Sequence, residues 1–374
     1  MTTSPTAPAR ARAARTRGTV RIVGAGLLGS SIGHGLRRLG VDVVLDDASP
    51  AQLRLAIDYG AGRAAAADDR PGLVVVAVPP DVTADVIERE LHAFPDAVVT
   101  DVASVKLDPL RSLQTRGVDL TRYIGSHPLA GRERGGAISA RADIFVGRPW
   151  VVCRDEETPT ADLAVVEGLA LDLGATPIEM TPEEHDRSVA LVSHVPQLVA
   201  SVLAGRFVDA ADDAMRLVGQ GVRDTTRIAA SPPEMWVQIF GANAAPVVEV
   251  LDALAAELGA VADALRDPDR PGARRAVADT IRRGNDGVDR LPGKHGQNRR
   301  FEPLVVIVDD TPGQLGRLFG ELGDLGVNVE DLRLEHSPGA QFGLAEISVV
   351  PSIVRHAVEG LEARGWKIAS TTND

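Results

Sequence analysis

The run Val20-Arg21-Ile22-Val23-Gly24-Ala25-Gly26-Leu27-Leu28-Gly29 constrains this chain more than any other stretch. A short apolar strand breaks into Gly-x-Gly-x-x-Gly and then into a helical pattern, the fingerprint of a dinucleotide-binding turn. Gly24 is expected to make the tight turn, Gly26 to let a pyrophosphate approach the backbone, and Gly29 to let the helix pack closely on the sheet. The phosphates would rest on free N–H groups at the helix start, around Leu27, Leu28 and Gly29. A second strand, 41–45, runs into Asp46-Asp47. A carboxylate there accepts both ribose hydroxyls of NAD and repels the 2′-phosphate of NADP. No Arg follows within the next few residues, so NAD is the expected cofactor, with Asp47 the first choice for the ribose and Asp46 the alternative. Val78 and Pro79 close the next strand and are expected to border the cofactor.

Strands and helices alternate from Thr19 to about Met180, with strands expected at 19–23, 41–45, 73–78, 97–101, 122–125, 149–153 and 175–180. Such βαβ alternation predicts a mostly parallel, doubly wound α/β sheet of Rossmann type, whose ligands sit at the carboxyl ends of the strands. Val78-Pro79-Pro80, Asp101 to Lys106 and Ser126-His127-Pro128 all fall at such ends. From Thr181 the apolar spacing turns helical, through Leu191, Val195, Leu198, Val199 and Val202, with Pro196 set to kink the run. A third, small α+β unit starts near Phe301, with a strand over 304–308 and a helix carrying Leu315, Leu318, Phe319, Leu322 and Leu325 on one face. The expected layout is a disordered arm over 1–17, a dinucleotide-binding domain over 18–180, an all-helical domain over 181–284, a polar linker over 285–300 and the α+β domain over 301–374.

The net charge of −12 argues against a general nucleic-acid or anionic-membrane surface. One cysteine, Cys153, rules out an internal disulfide and suits the cytoplasm; it reads as a small core residue. No apolar run is read as approaching a membrane span of about 20 residues. The arm carries Arg10, Arg12, Arg15 and Arg17 but is followed by no apolar segment of a signal peptide.

Four constellations could carry chemistry. His127, in Gly125-Ser126-His127-Pro128, follows a strand at the cofactor edge. It is either a hydrogen-bonded structural residue or a base for a substrate hydroxyl while hydride leaves the same carbon. Ser104, in Asp101-Val102-Ala103-Ser104-Val105-Lys106, is either an N-cap or a hydrogen-bond partner for substrate or cofactor. His185 and His194 stand nine apart, which places them on different faces of a regular helix, so no metal site is expected. Arg223 and Arg227 are helical neighbours, with Trp236 and Asn243 downstream. Arg223 reads as a solvated charge, whereas Arg227, among apolar residues, suits a carboxylate through its planar fork.

Together these strings resemble the prephenate and arogenate dehydrogenases of tyrosine biosynthesis. The resemblance rests on Gly24 to Gly29, Asp101 to Lys106, Gly125-Ser126-His127-Pro128-Leu129-Ala130-Gly131, Ser193-His194-Val195-Pro196 and Arg223-Asp224-Thr225-Thr226-Arg227-Ile228-Ala229, in family order across residues 18 to 284. It implies NAD-dependent oxidative decarboxylation of prephenate by a homodimer joined through the helical domain. It also implies that His127 and Ser104 hydrogen-bond the 4-hydroxyl of the ring, that Arg227 holds a carboxylate and that His194 shapes the pocket. Glu133 would sit at the mouth of the site and Trp236 would close it. The tail, through Asp309 to Gly313 and Gly326-Val327-Asn328-Val329, resembles an ACT-type amino-acid-binding domain. That implies a tyrosine effector at Asp310, Gly313, Gln314 and Asn328, unless the domain only dimerises. Arogenate is the alternative substrate, and a non-catalytic sensor of NAD and an amino acid is the remote one. The basic arm has no role in the family pattern, and Arg132 follows Gly131 at a variable position beside the site, where it could affect substrate choice.

Overall fold

The computed structural model describes residues 13–131, 135–154, 158–291, 301–336 and 342–371. In chain order the first elements are β1 (Thr19–Val23), α1 (Leu27–Arg38), β2 (Val43–Asp46), α2 (Pro50–Asp58), β3 (Arg63–Ala64), β4 (Pro71–Val76) and α3 (Pro80–Ala93). Then come β5 (Val98–Asp101), α4 (Leu107–Thr115), β6 (Tyr123–Pro128), β7 (Pro149–Cys153), α5 (Thr160–Asp172) and β8 (Thr176–Met180). These strands form one sheet in the order β3-β2-β1-β4-β5-β6-β7-β8, parallel everywhere except between β6 and β7. Successive residues of β4 enter opposite cores. Leu73 and Val75 pack with Ile22, Leu45 and Trp150, while Val74 and Val76 pack with Ile87, Leu91 and Leu113. This two-sided burial explains the unbroken apolar run of β4. Each fully buried aliphatic side chain stabilises the sheet by roughly 1.5–3 kcal/mol.

Two sequence expectations change here and a third holds. Ser126-His127-Pro128 is strand rather than loop, because antiparallel pairing to β7, with His127 opposite Val151, carries β6 beyond the end of β5. The arm is docked at its end, where the N–H groups of Arg15 and Thr16 donate to the Asp172 carboxylate at 2.7–3.0 Å. Thr16 is buried there. Cys153 lies in the core as expected, and burial pushes its thiol up to about 12, which keeps it unreactive.

The helical run opens with α6 (Pro182–Val189), capped by a reciprocal Thr181–Glu184 box. A π-turn over Ala190–His194 comes next, then α7 (Val195–Gly205). Pro196 has no N–H for the Val192 carbonyl and its ring would collide with that carbonyl, so the helix widens here instead of breaking. The extra residue rotates the rest of the helix by about one position. His185 and His194 are therefore both buried, not on opposed faces as a regular helix would place them. The composite helix Pro182–Gly205 is also long and apolar enough to cross a membrane, contrary to the reading that no run approaches that length. It carries buried His185, Asp186, His194 and Gln197, all committed to polar contacts of this domain or its surroundings.

The remaining helices are α8 (Asp212–Met215), α9 (Gln220–Thr226), α10 (Pro233–Ala242), α11 (Ala244–Arg266) and α12 (Ala273–Val288). α12 continues past the expected linker start at residue 285, because Asn285, Asp286 and Gly287 fall in its exposed last turn, where their low propensity costs little. The tail folds as β9 (Glu302–Asp309), α13 (Gln314–Asp324), β10 (Asp331–His336), β11 (Phe342–Val349), α14 (Val354–Glu362) and β12 (Lys367–Thr371). Its antiparallel sheet has the order β10-β11-β9-β12, a split βαβ pattern. Leu304, Val306, Val308, Ala345, Ile347 and Val349 alternate inward toward Leu318, Leu322 and Leu361. The chain divides into two compact units, one of residues Met1–Val202 with Ile228–Ala253, the other of Leu203–Arg227 with Leu254–Asp374.

Candidate active site

The strand order reverses between β1 and β4, and the carboxyl ends of β1, β2, β4 and β5 meet at that crevice. Gly24 there has φ 102°, and a Cβ on it would strike the Ala77 carbonyl; a Cβ on Gly29 would strike the Gly24 carbonyl. Only glycine allows this packing of turn, strand and helix. Gly26, by contrast, caps α1 with open space where its Cβ would be. The turn thus presents bare backbone at a helix N-terminus, a surface that fits a pyrophosphate. Val78 borders Gly24, and Pro79 caps α3 beside it.

The two acids differ. Asp46 ends β2 and is held by Arg21, whose guanidinium also binds Glu90. Asp47 turns to the glycine loop instead. One carboxylate oxygen accepts the Ala25 N–H at 2.7 Å and the other accepts the Ser49 N–H at 2.7 Å. Both oxygens keep a lone pair beside the turn, which suits vicinal ribose hydroxyls. We expect Asp47→Asn to raise the KM for NAD by about 10-fold or more, since hydrogen bonds to a charged group contribute roughly 1.5–3 kcal/mol. The same change should narrow the preference over NADP, and initial rates with both cofactors check this.

At the ends of β5 and β6 lies a buried polar cluster. Lys106 pairs with Asp101 and donates to the Ser126 carbonyl at 2.7 Å. Asp101 also accepts from the Tyr123 hydroxyl at 2.9 Å and the Ala103 N–H at 2.9 Å. Burial, then the Asp101 charge, pushes the Tyr123 phenol well above its usual range. Ser104 does not cap α4, whose N-cap is Lys106, and its hydroxyl has no hydrogen-bond partner among the described residues. The capping alternative therefore falls away.

His127 Nδ1 lies 2.9 Å from His185 Nε2, and His185 Nδ1 lies 2.7 Å from Asp186 Oδ1. Burial, reinforced by His185, Lys106 and His194, holds the His127 imidazole well below its usual pKa. At neutral pH it is an uncharged base. His194 meets Asn243, whose side-chain amide donates to the Asp186 carbonyl at 2.8 Å and to His194 Nδ1 at 3.1 Å. His194 consequently carries its proton on Nε2, as a donor. Trp236 and Phe240 stack at 5.2 Å and meet the His194 ring edge-on. The buried Trp236 indole N–H has no partner among the described residues.

Burial pushes His194 down to about 4. The unfolded chain takes up that proton near 6.5 and the folded chain does not, so stability is intact above pH 6.5 and falls as pH drops toward 4. His194 alone should cost on the order of 2 kcal/mol at pH 5 relative to pH 7. Urea unfolding at the two pH values checks this.

Arg227 begins a short 3₁₀ turn, Arg227–Ala229, after α9, and Arg223 is exposed on that helix. Glu133 and Arg132 lie outside the described residues. In the tail, Asp310 and Gly313 line a cavity of about 370 Å³ together with Thr311, Leu334 and Leu344. Gln314 and Asn328 do not line it, and the Asn328 amide is instead bound to Glu330 at 2.7 Å. Sequence reasoning missed the partnership of His185, Asp186 and Asn243. Their only signal was polar residues at positions where the helical pattern calls for core.

The chain matches the nucleotide-binding domain of prephenate dehydrogenase over residues 32–179 and the prephenate dehydrogenase dimerization domain over residues 181–278. It is 36% identical to the probable prephenate dehydrogenase NovF of Streptomyces niveus, over 93% of this chain and 98% of that one. The crystal structure of prephenate dehydrogenase from A. aeolicus, in complex with hydroxyphenyl propionate and NAD+, is similar with a TM-score of 0.64 and 26% identity, over 73% of this chain and 99% of that one. Synechocystis arogenate dehydrogenase is similar with a TM-score of 0.58 and 25% identity, over 72% of this chain and 99% of that one. With a glycine turn shaped for a dinucleotide beside a neutral histidine base, the chain belongs to the prephenate dehydrogenase family and is an NAD-dependent dehydrogenase.

Proposed function

We propose that the chain converts prephenate to 4-hydroxyphenylpyruvate and CO2 with reduction of NAD. The observation that carries this reading is His127, an imidazole held neutral at the end of β6. NAD, held by the Gly24–Gly29 turn and Asp47, would supply the acceptor for the hydride of C4. His127 takes the proton of the 4-hydroxyl as that hydride leaves. Loss of the ring carboxylate as CO2 then makes the ring aromatic, and the proton returns to the oxygen. Ser104 supplies a second hydrogen bond to the hydroxyl, and His194 and Trp236 shape the substrate pocket. Arg227 holds a substrate carboxylate. The protein thus positions two reactants and moves one proton, which is sufficient for this chemistry.

The likeness to an arogenate dehydrogenase favours arogenate as the second reading. We assign the chain as a homodimer, supported by the match to a dimerization domain and by exposed Leu191, Val192 and Val202 on the composite helix. We assign the tail as an ACT-like regulatory unit. Its split βαβ order and the cavity at the first strand-to-helix turn support tyrosine as the effector. Initial rates with prephenate and arogenate, each with and without tyrosine, test all of this. Turnover of prephenate, suppressed by tyrosine, is expected. Turnover of arogenate alone would move the enzyme to the second reading, and indifference to tyrosine would remove the effector.

A further inference from the structure

The hydrogen bonds behind His127 determine which of its nitrogens carries the proton. Asp186 is held as a carboxylate. Burial works against its charge, but the His185 bond and the N–H groups of Leu107 and Lys106 outweigh burial and keep its pKa low. Those two N–H groups, at the start of α4, donate at 2.9 Å to Oδ1 and 3.0 Å to Oδ2. A carboxylate only accepts, so His185 Nδ1 must be the donor to it. Burial lowers the His185 pKa more than Asp186 raises it, so its ring is neutral and its Nε2 is a lone pair. His127 Nδ1, 2.9 Å from that lone pair, must then carry a hydrogen. The remaining nitrogen, Nε2, keeps its own lone pair and has no partner among the described residues.

We infer that His185 and Asp186 are positioning residues that lock His127 as the Nδ1–H tautomer and so aim a basic Nε2 at the substrate hydroxyl. The inference rests on the proposed oxidative decarboxylation and deepens it. When the hydroxyl proton moves to Nε2, His127 becomes an imidazolium. Its Nδ1–H bond to His185, backed by Asp186, steadies that charge against Lys106, which is itself neutralised by Asp101. As CO2 departs and the ring turns aromatic, the same proton returns to the oxygen. No proton is gained or lost over the cycle. A histidine oriented by a buried carboxylate serves the same end in serine hydrolases, there with one imidazole rather than two.

The test pairs a spectroscopic readout with kinetics. In the full-length enzyme, ¹⁵N ring shifts of His127 should show a protonated Nδ1 and a bare Nε2 near neutral pH. The opposite tautomer, or a ring averaged between the two, would overturn the inference without reference to any substrate. Kinetically, His185→Phe removes the acceptor for Nδ1–H, and Asp186→Asn lets His185 reverse its own tautomer. Each should lower kcat by about 100-fold, within the range for a misdirected general base, with KM changed less than about 3-fold. His185→Gln restores an acceptor and should recover at least about a tenth of parental kcat. Should Asp186→Asn unfold, the His185 pair still decides. Equal kcat in parent and His185→Phe would overturn the inference, as would a Gln variant no better than Phe. If the parent itself turned over neither prephenate nor arogenate, the functional reading would fail instead, and the ring shifts would still judge the tautomer.

Discussion

His127→Asn should bind NAD and substrate nearly as the parent does and yet turn over at least about 100-fold more slowly. The amide nitrogen of asparagine reaches close to the place of Nδ1, so it can keep a donor toward His185. The polar cluster behind the site then loses no partner, and the fold should survive. An amide cannot take a proton near neutral pH, however, and the 4-hydroxyl is left without a base. Because the proton moves only as the hydride leaves, the loss belongs in kcat and in kcat/KM alike, with KM little changed. A variant with kcat within a few-fold of the parent would remove His127 from the chemistry. The low pKa of the free imidazole carries a companion expectation: the acid limb of kcat/KM should fall well below pH 6.5, because the base stays unprotonated in mildly acidic solution.

Arg227→Ala should act on the other kinetic constant. A guanidinium offers a carboxylate two parallel N–H bonds, and hydrogen bonds to charged groups contribute roughly 1.5–3 kcal/mol. Losing them should raise the KM for substrate about 10- to 100-fold. The effect on kcat should be smaller, because the carboxylate is bound before hydride moves. Arg227 is exposed at the start of its 3₁₀ turn. Arg227→Lys should recover only part of the affinity, since an ammonium is a point charge without the fork. Arg223→Ala, one helical turn earlier, serves as the control and should leave KM alone. An unchanged KM in Arg227→Ala, or an equal rise in both alanine variants, would count against the assignment.

The chemistry of short segments could be read directly from the residues. Glycines spaced for a turn, an acid after the second strand and alternating apolar runs each report a local backbone demand, and the sheet order and glycine contacts agree with them. Relations across the chain were not legible. His127 and His185 are 58 residues apart, and Asp186 meets backbone N–H groups 79 and 80 residues away. Neither contact leaves a periodic trace. The π-turn escaped for a related reason. Pro196 announced a distortion, but a kink and an added residue look the same in sequence and differ in which way His194 faces. Likewise the burial of Lys106 against Asp101 depends on the fold and leaves no local signal. In the tail, the turn at Asp310 and Gly313 was visible from its composition. The opposite wall of that cavity, Leu334 and Leu344, depends on strand pairing and was not.

The proposed reaction couples oxidation and decarboxylation of one ring in one cycle, at a neutral histidine beside an NAD turn. The most direct measurement tracks NADH, CO2 and 4-hydroxyphenylpyruvate together while the parent enzyme consumes prephenate with NAD. The three should appear in equal amounts and at one rate. NADH formed without matching CO2, or no NADH at all from prephenate, would contradict it.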